Sequence, residues 1–477
     1  MKKYIQKHMY KWHRIVGLIV LIPTILWTFS GMMHPFMSHW FKTEIPNDFY
    51  QEEKLEVAKN SIQLKTLLEQ NKIYKFKNVR LVNYHSRNYF QVKLVDNSIR
   101  YFDSKNAKEL INGEKKYAES IARYMLDDQK SKVSSIELIN NFTPQYKYVN
   151  RLLPVWKVSF ERNDHMDIYV ETAHSKFATF NDDKRKVFIW IFSNFHNWAF
   201  LDVFKNNTLH VFVMIFFIGV IFFSAISGIV IYCFHWKFFK KPEAGDKLGL
   251  LRRYHRIMGI TFSLISFLFA FSGGYHLLQK LTPDDRMSFL NEPVFSTNEL
   301  PDKLKSLNKN ELNFSFVKMK DTSLFLTQSF DFNTKSINYN YYDLKTNKQI
   351  DNGNEKYCNY LVESFSNKKG EKLVSNKKEW ITDFTNEYGF VNKRLPVMAF
   401  HLQNEKSSSY YIDPSTGHLA AYIQKSNRLE GFSFAFLHKF HFLDSYGKNF
   451  RDGILVFLAF SIFVVSLLGV LIFLKKR

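Results

Sequence analysis

Residues 12–34 read WHRIVGLIVLIPTILWTFSGMMH, and residues 254–276 read YHRIMGITFSLISFLFAFSGGYH. Each stretch opens on an aromatic residue followed by His-Arg-Ile, runs through an apolar middle and closes on Phe-Ser-Gly-x-x-His, at a constant offset of 242 residues. A run of this length and apolarity spans a hydrocarbon layer of about 30 Å. The pair therefore predicts two membrane helices that are copies of one plan.

Working outward, the same register recurs. FHNWAFLD from Phe195 matches LHKFHFLD from Leu437; Leu153-Pro154-Val155 matches Leu395-Pro396-Val397; Tyr169-Val170-Glu171 matches Tyr411-Ile412-Asp413. The offset shortens to 241 at Gly228 and Gly469. Apolar runs at 15–33, 209–234, 257–278 and 454–474 give four expected membrane helices separated by two long polar segments. Alternating runs at 89–95 and 324–330 predict strands, and 115–126 and 355–365 predict helices.

The expected fold class is thus a membrane α+β protein with four transmembrane helices in two parallel tandem repeats. A cytoplasmic arm occupies 1–12, helices 13–36, 208–235, 255–278 and 451–474, outward α+β domains 37–207 and 279–450, a cytoplasmic loop 236–254 and a tail 475–477.

The formal charge of +22 raises the question of nucleic acid. Most of the excess lies in the arm, the short loop and the tail, where Lys2, Lys3, Lys7, Lys11, Arg14, Lys237, Lys240, Lys241, Lys247, Arg252, Arg253, Arg256, Lys475, Lys476 and Arg477 face only Glu243 and Asp246. The two long segments carry a net of just +6 and +4. Lysine and arginine resist translocation, so this pattern keeps both termini cytoplasmic and the large segments outside. It argues against a nucleic-acid partner and for membrane lipid. The first apolar run is too long for a cleaved leader and is expected to stay as an anchor. Cys233 and Cys358 are the only cysteines, which excludes a thiolate metal cluster and makes an intradomain disulfide unexpected. No phosphate loop, nucleophile elbow, zinc-protease or kinase motif occurs.

Six of the sixteen histidines form three repeat-related pairs at helix ends: His13 with His255, His34 with His276, and His196 with His438. His13 and His34 lie 21 residues apart, so one helix presents them about 31 Å apart and within about 60° of one face. The result is an inner and an outer layer of imidazoles. Neutral imidazole ligates haem iron, and a four-helix bundle can hold haem between facing helices. The bland reading is interfacial anchoring. Its weight falls for six histidines kept in register. His210 has no repeat partner and is a weaker ligand candidate; Ser30-Gly31 and Ser272-Gly273 suggest close helix packing or cofactor approach.

With its His-led helices, their terminal Phe-Ser-Gly and turns such as YYIDPSTGHL, the chain resembles the PepSY-associated transmembrane family over almost its whole length. The resemblance implies periplasmic PepSY-like domains between the helices, an inner-membrane location and, as in di-haem ferric-siderophore reductases of that family, reduction of a ferric chelate by two b-type haems on bis-histidine ligands. Carried over, the haem ligands are His13, His34, His196, His255, His276 and His438. His13 pairs with His255 at an inner haem, while the other four compete for the outer one. Some similar proteins continue into a flavin and nicotinamide module; here Lys475-Lys476-Arg477 follows the last helix, so a quinol or a cytoplasmic reductase is the expected donor. Two other readings stay open: a haem-free scaffold whose outer domains bind or restrain a peptide or protease, and an accessory to metal or haem transport. The last lacks an intramembrane carboxylate or broken helix to mark a path.

Overall fold

A computed structural model describes residues 2–47, 49–51, 62–236, 239, 241–282, 288–304, 311–331, 336–373 and 375–475. Of the basic residues counted above, Lys237, Lys240, Lys476 and Arg477 lie outside them. The chain divides into two compact units, residues 1–43, 184–283 and 426–477 in one and residues 44–183 and 284–425 in the other.

The first unit is helical. Helix α1 (Lys2–Ile19) is followed by α2 (Leu21–Pro35) and a π-helical turn, Phe36–Trp40. The 15–33 run was expected to be one helix; instead α1 and α2 meet at a 57° bend. Pro23, in the first turn of α2, has no N–H to give the Ile19 carbonyl and crowds it sterically. Hydrogen bonds on either side, Val20 N–H to Val16 O at 3.0 Å and Thr24 N–H to Val20 O at 2.8 Å, keep the break local. Three later helices are long and apolar enough to cross a membrane: α6 (Asn207–His235), α7 (Lys247–Gln279) and α10 (Lys448–Leu474). The bent pair makes a fourth if it is counted as one span. α1 packs on α6, α6 on α7, α7 on α10, and α10 on α2. Large apolar side chains such as Phe212, Phe216, Leu264, Phe457 and Phe460 remain exposed on these helices, which suits a lipid surround and not water.

Ahead of α6 and α10 the chain makes the same three moves: α5 (Asp183–Ile191) and α9 (Lys425–Ser433), then π-helical turns Phe192–His196 and Phe434–His438, then 3-10 turns Ala199–Phe204 and His441–Tyr446. Each pair is offset by 242.

The second unit is α+β. After α3 (Leu64–Gln70), strands β1 (Lys75–Tyr84), β2 (Arg87–Leu94) and β3 (Ile99–Asp103) form a meander, and α4 (Gly113–Leu126) follows. A second meander comprises β4 (Val133–Ile139), β5 (Val155–Phe160), β6 (Asp167–Glu171) and β7 (Lys176–Asn181). The order recurs in β9 (Glu311–Met319), β10 (Thr322–Asp331), β11 (Ser336–Asp343), α8 (Gly353–Lys368), β12 (Ser375–Ile381), β13 (Val397–Leu402), β14 (Ser409–Asp413) and β15 (His418–Ile423). All pairings are antiparallel neighbours, and the short β8 (Phe295–Ser296) from the second half joins β1 of the first.

Burial follows the sequence pattern. Tyr117, Ala118, Ile121, Ala122 and Met125 line one face of α4 and pack between the two sheets of their half. Tyr357, Cys358, Leu361, Val362 and Phe365 of α8 do the same in the second half. The outer faces of the three-strand meanders meet each other, with Phe76, Phe90 and Phe102 packed in one core with Phe295, Phe314 and Phe325. The two polar segments therefore share a hydrophobic core.

Candidate functional site

His13 sits on α1 facing α6. Its Nδ1 lies 2.8 Å from Ser227 Oγ, while the Ser227 hydroxyl donates to the Ser224 carbonyl at 2.8 Å. That hydroxyl proton is committed, so Ser227 accepts from His13 Nδ1–H and the Nε2 lone pair is left outward. His255, on α7, reaches the same tautomer by a shorter route: Nδ1–H donates to the Val465 carbonyl of α10 at 3.1 Å. Val465 is the counterpart of Ser224 at the 241 offset, and Leu468 stands where the first half has Ser227. With no hydroxyl to intervene, the ring goes directly to the backbone.

The two rings lie 6.3 Å apart between centres, tilted by 57°. Glycine makes room beside each: a Cβ on Gly228 meets His13 Cε1 at 3.4 Å, and one on Gly469 meets His255 Cε1 at 3.7 Å. Ser227 is 1% exposed, so the polar contact is shielded from competing water.

In the other layer, each π-helical turn ends on its histidine. The wider turn carries one extra residue per hydrogen-bonded loop and re-aims that last side chain. His196 Nδ1 is 3.1 Å from Ser30 Oγ, whose proton goes to Leu26 O at 2.7 Å. His438 Nδ1 is 3.1 Å from Ser272 Oγ, whose proton goes to Leu268 O at 2.6 Å. Phe192 stacks on His196 at 4.5 Å and Phe434 on His438 at 4.8 Å, both at 12°. Ser30 and Ser272 are buried. Both rings are thus held at Nδ1 with Nε2 available.

His34 and His276 are held differently. Lys439 Nζ lies 3.3 Å from His34 Nε2, whereas His276 Nδ1 is 2.5 Å from Glu430 Oε1. Among the described residues no ring contact joins two of these four outer histidines. His210 has both nitrogens engaged, Nδ1 with Asp202 at 3.0 Å and Nε2 with the Asn197 carbonyl at 2.8 Å, so neither is presented to iron.

The sequence did not reveal the partners Ser227, Val465, Glu430 and Lys439, and it read Ser30 and Ser272 as allowing close helix packing or cofactor approach, not as hydrogen-bond partners of the histidines. A signal was present for the serines: each keeps the 242 register 166 residues before its histidine.

No protein-family model and no curated protein matches this chain. Among the described residues no three His, Cys, Asp or Glu side chains converge as a metal site; a two-imidazole site is of another kind.

The second unit holds a further charged cluster. Arg394 pairs with buried Asp413 at 3.1 Å, and His174 with buried Glu171 at 3.1 Å. Burial pulls the Lys176 ammonium beside them down to about 8. Burial works to raise the Glu171 carboxyl, but His174, Arg394 and Lys176 together hold it below the usual carboxylate range. Acids and bases compensate one another here, as in a structural ion network.

Proposed function

We propose that the chain is a four-span inner-membrane protein of the PepSY-associated type that holds b-type haem on paired histidines and reduces a ferric siderophore or similar chelate on the outer side. The observation that carries the reading is the disposition of His13 and His255. Two neighbouring imidazoles, each with its Nδ1–H committed to a protein acceptor, would hold haem iron between them. Here the ring centres are 6.3 Å apart, and both rings are anchored through Nδ1.

The residues fit such a group in a second way. Metal-ligating histidines donate their other N–H to a carbonyl, carboxylate or similar acceptor, which fixes the tautomer and raises ligand basicity. His13, His255, His196 and His438 all do so. His196 and His438 are accordingly our preferred outer ligands, with His34 and His276 beside them. His210 is not carried into the set.

Bound haem supplies the one-electron chemistry. The chain's own part is to orient the imidazoles, keep the proton at Nδ1 and exclude water from the layer between α1, α6, α7 and α10. Lowering the charge on iron weakens its hold by hard oxygen ligands, so release follows reduction. The basic arm and loop support a cytoplasmic placement of the His13–His255 layer, and a quinol or cytoplasmic reductase is the proposed donor.

The test is to replace His13 and, separately, His255 with alanine in the purified full chain reconstituted in liposomes. Each variant is expected to lose one haem per chain and to stop reducing an external ferric chelate from an internal donor. Unchanged haem content in both refutes the pairing. A wild-type chain free of haem leaves the scaffold reading.

A further inference from the structure

Lys439 follows His438 directly, and its counterpart 242 residues earlier is the uncharged Asn197. It is half-buried, with Nζ 3.3 Å from His34 Nε2 and 5.9 Å from the centre of the Phe434 ring. Among the described residues no carboxylate forms an ion pair with it. The acids of the flanking segments are themselves paired: Asp444 and Asp452 with Arg451 at 2.5 and 2.9 Å, Asp452 also with His39 at 3.0 Å, and Glu430 with His276 at 2.5 Å. Asp452 attracts the ammonium without reaching ion-pair distance, so the lysine sits beside a phenyl ring and an imidazole with no direct counter-charge among the described residues, a costly position that an arriving anion would relieve. Its one hydrogen-bond partner among the described residues is an imidazole nitrogen, His34 Nε2.

We infer that Lys439 is the anchor for a carboxylate of the outer porphyrin. Haem b carries two propionate groups, and a lysine ammonium on a flexible stem is a point-charge partner for such an oxyanion. Pairing would draw Nζ off His34 Nε2, which stands beside the preferred ligands His196 and His438. The repeat makes the anchor one-sided, since Asn197 offers only an amide in the first half. The inference rests on the haem reading above, and the test keeps the two apart.

The full chain is purified as wild type, Lys439→Met and Lys439→Arg, and haem per chain and the rate of haem loss to apomyoglobin are measured. The wild type is also loaded with haem dimethyl ester, in which both carboxylates are masked. The expected result is that Lys439→Met sheds the outer haem about tenfold faster while the inner haem stays, which also shows that the fold is intact. Lys439→Arg is expected to stay near wild type, and the wild type to shed the ester about tenfold faster than haem. Should Lys439→Met hold two haems at the wild-type loss rate, or the wild type hold ester and acid equally, the anchor is overturned while the haem reading stands. A haem-free wild type overturns both.

Discussion

Replacing Gly228 with valine tests the inner pair through its packing without touching either histidine. A Cβ at this position meets His13 Cε1 at 3.4 Å, the near edge of ordinary contact, so Gly228→Ala is expected to be tolerated. Valine adds two methyls about 1.5 Å beyond that point, and a β-branched side chain in a helix has little rotamer freedom with which to turn away. Overpacking of this kind costs about 1–3 kcal/mol. If the strain is relieved by displacing the His13 ring, haem binding at the inner site weakens roughly five- to 150-fold. Gly31 is the control, because a Cβ there meets nothing within 4 Å. Gly469, at 3.7 Å from His255, should fall between. Haem per chain and the rate of haem loss are measured for the alanine and valine variants at all three positions. Wild-type retention of the inner haem in Gly228→Val, or an equal loss of the inner haem in Gly31→Val, refutes the claim that the His13 ring is a ligand held in this pose.

Ser227→Ala removes the hydroxyl from His13 Nδ1, but the second half does without that hydroxyl, so the cost is expected to stay near 1 kcal/mol, about fivefold in inner-haem loss rate; a hundredfold effect contradicts the fallback onto the Ser224 carbonyl. In the second unit, the buried Tyr146 and Tyr388 hydroxyls donate to the Leu152 and Arg394 carbonyls at 2.7 Å each. Phenylalanine at either site should cost about 1–2 kcal/mol by denaturant unfolding of the full chain, and no change at both sites contradicts the assigned bonds. Asp128 is held below the usual carboxylate range by the Ser131 hydroxyl and amide, the Lys130 amide and Arg162. Its folded form gives up the proton more readily than an ordinary carboxylate of about 3.9, so its stabilisation is complete above about pH 5 and drains away as pH falls through the depressed titration. Asp128→Asn should therefore lose more stability at pH 7 than at pH 3, and an equal loss at both points elsewhere.

What could be read in the sequence was whatever the duplication had kept local. The histidine pairs, the helix ends at Phe-Ser-Gly, the strands near Tyr89 and Leu324 and the helices that bury Tyr117 and Tyr357 all lie in short windows with their own period. The bend at Val20 was within reach, since Pro23 stands in the quoted stretch, but prolines are tolerated inside membrane helices when neighbours satisfy the freed carbonyl. The shared core of the two polar segments was not readable. Phe76 and Phe314 look like ordinary inward strand residues, and nothing local says that the face they cover belongs to the other half. The hydroxyl and carbonyl partners of the imidazoles were hidden for the same reason: Ser227 and His13 are 214 residues apart, and only the folded helix pair brings them together. His210 shows the converse, a histidine near the site whose two nitrogens are spent locally.

Haem held between histidines is the feature on which the proposed chemistry depends. The direct measurement is the absorption spectrum of the detergent-purified full chain after haem-replete expression, oxidised and then reduced with dithionite, with haem per chain determined on the same sample. A low-spin bis-imidazole spectrum and two haems per chain are expected. A chain that is folded and monodisperse yet shows no haem absorption contradicts the haem reading.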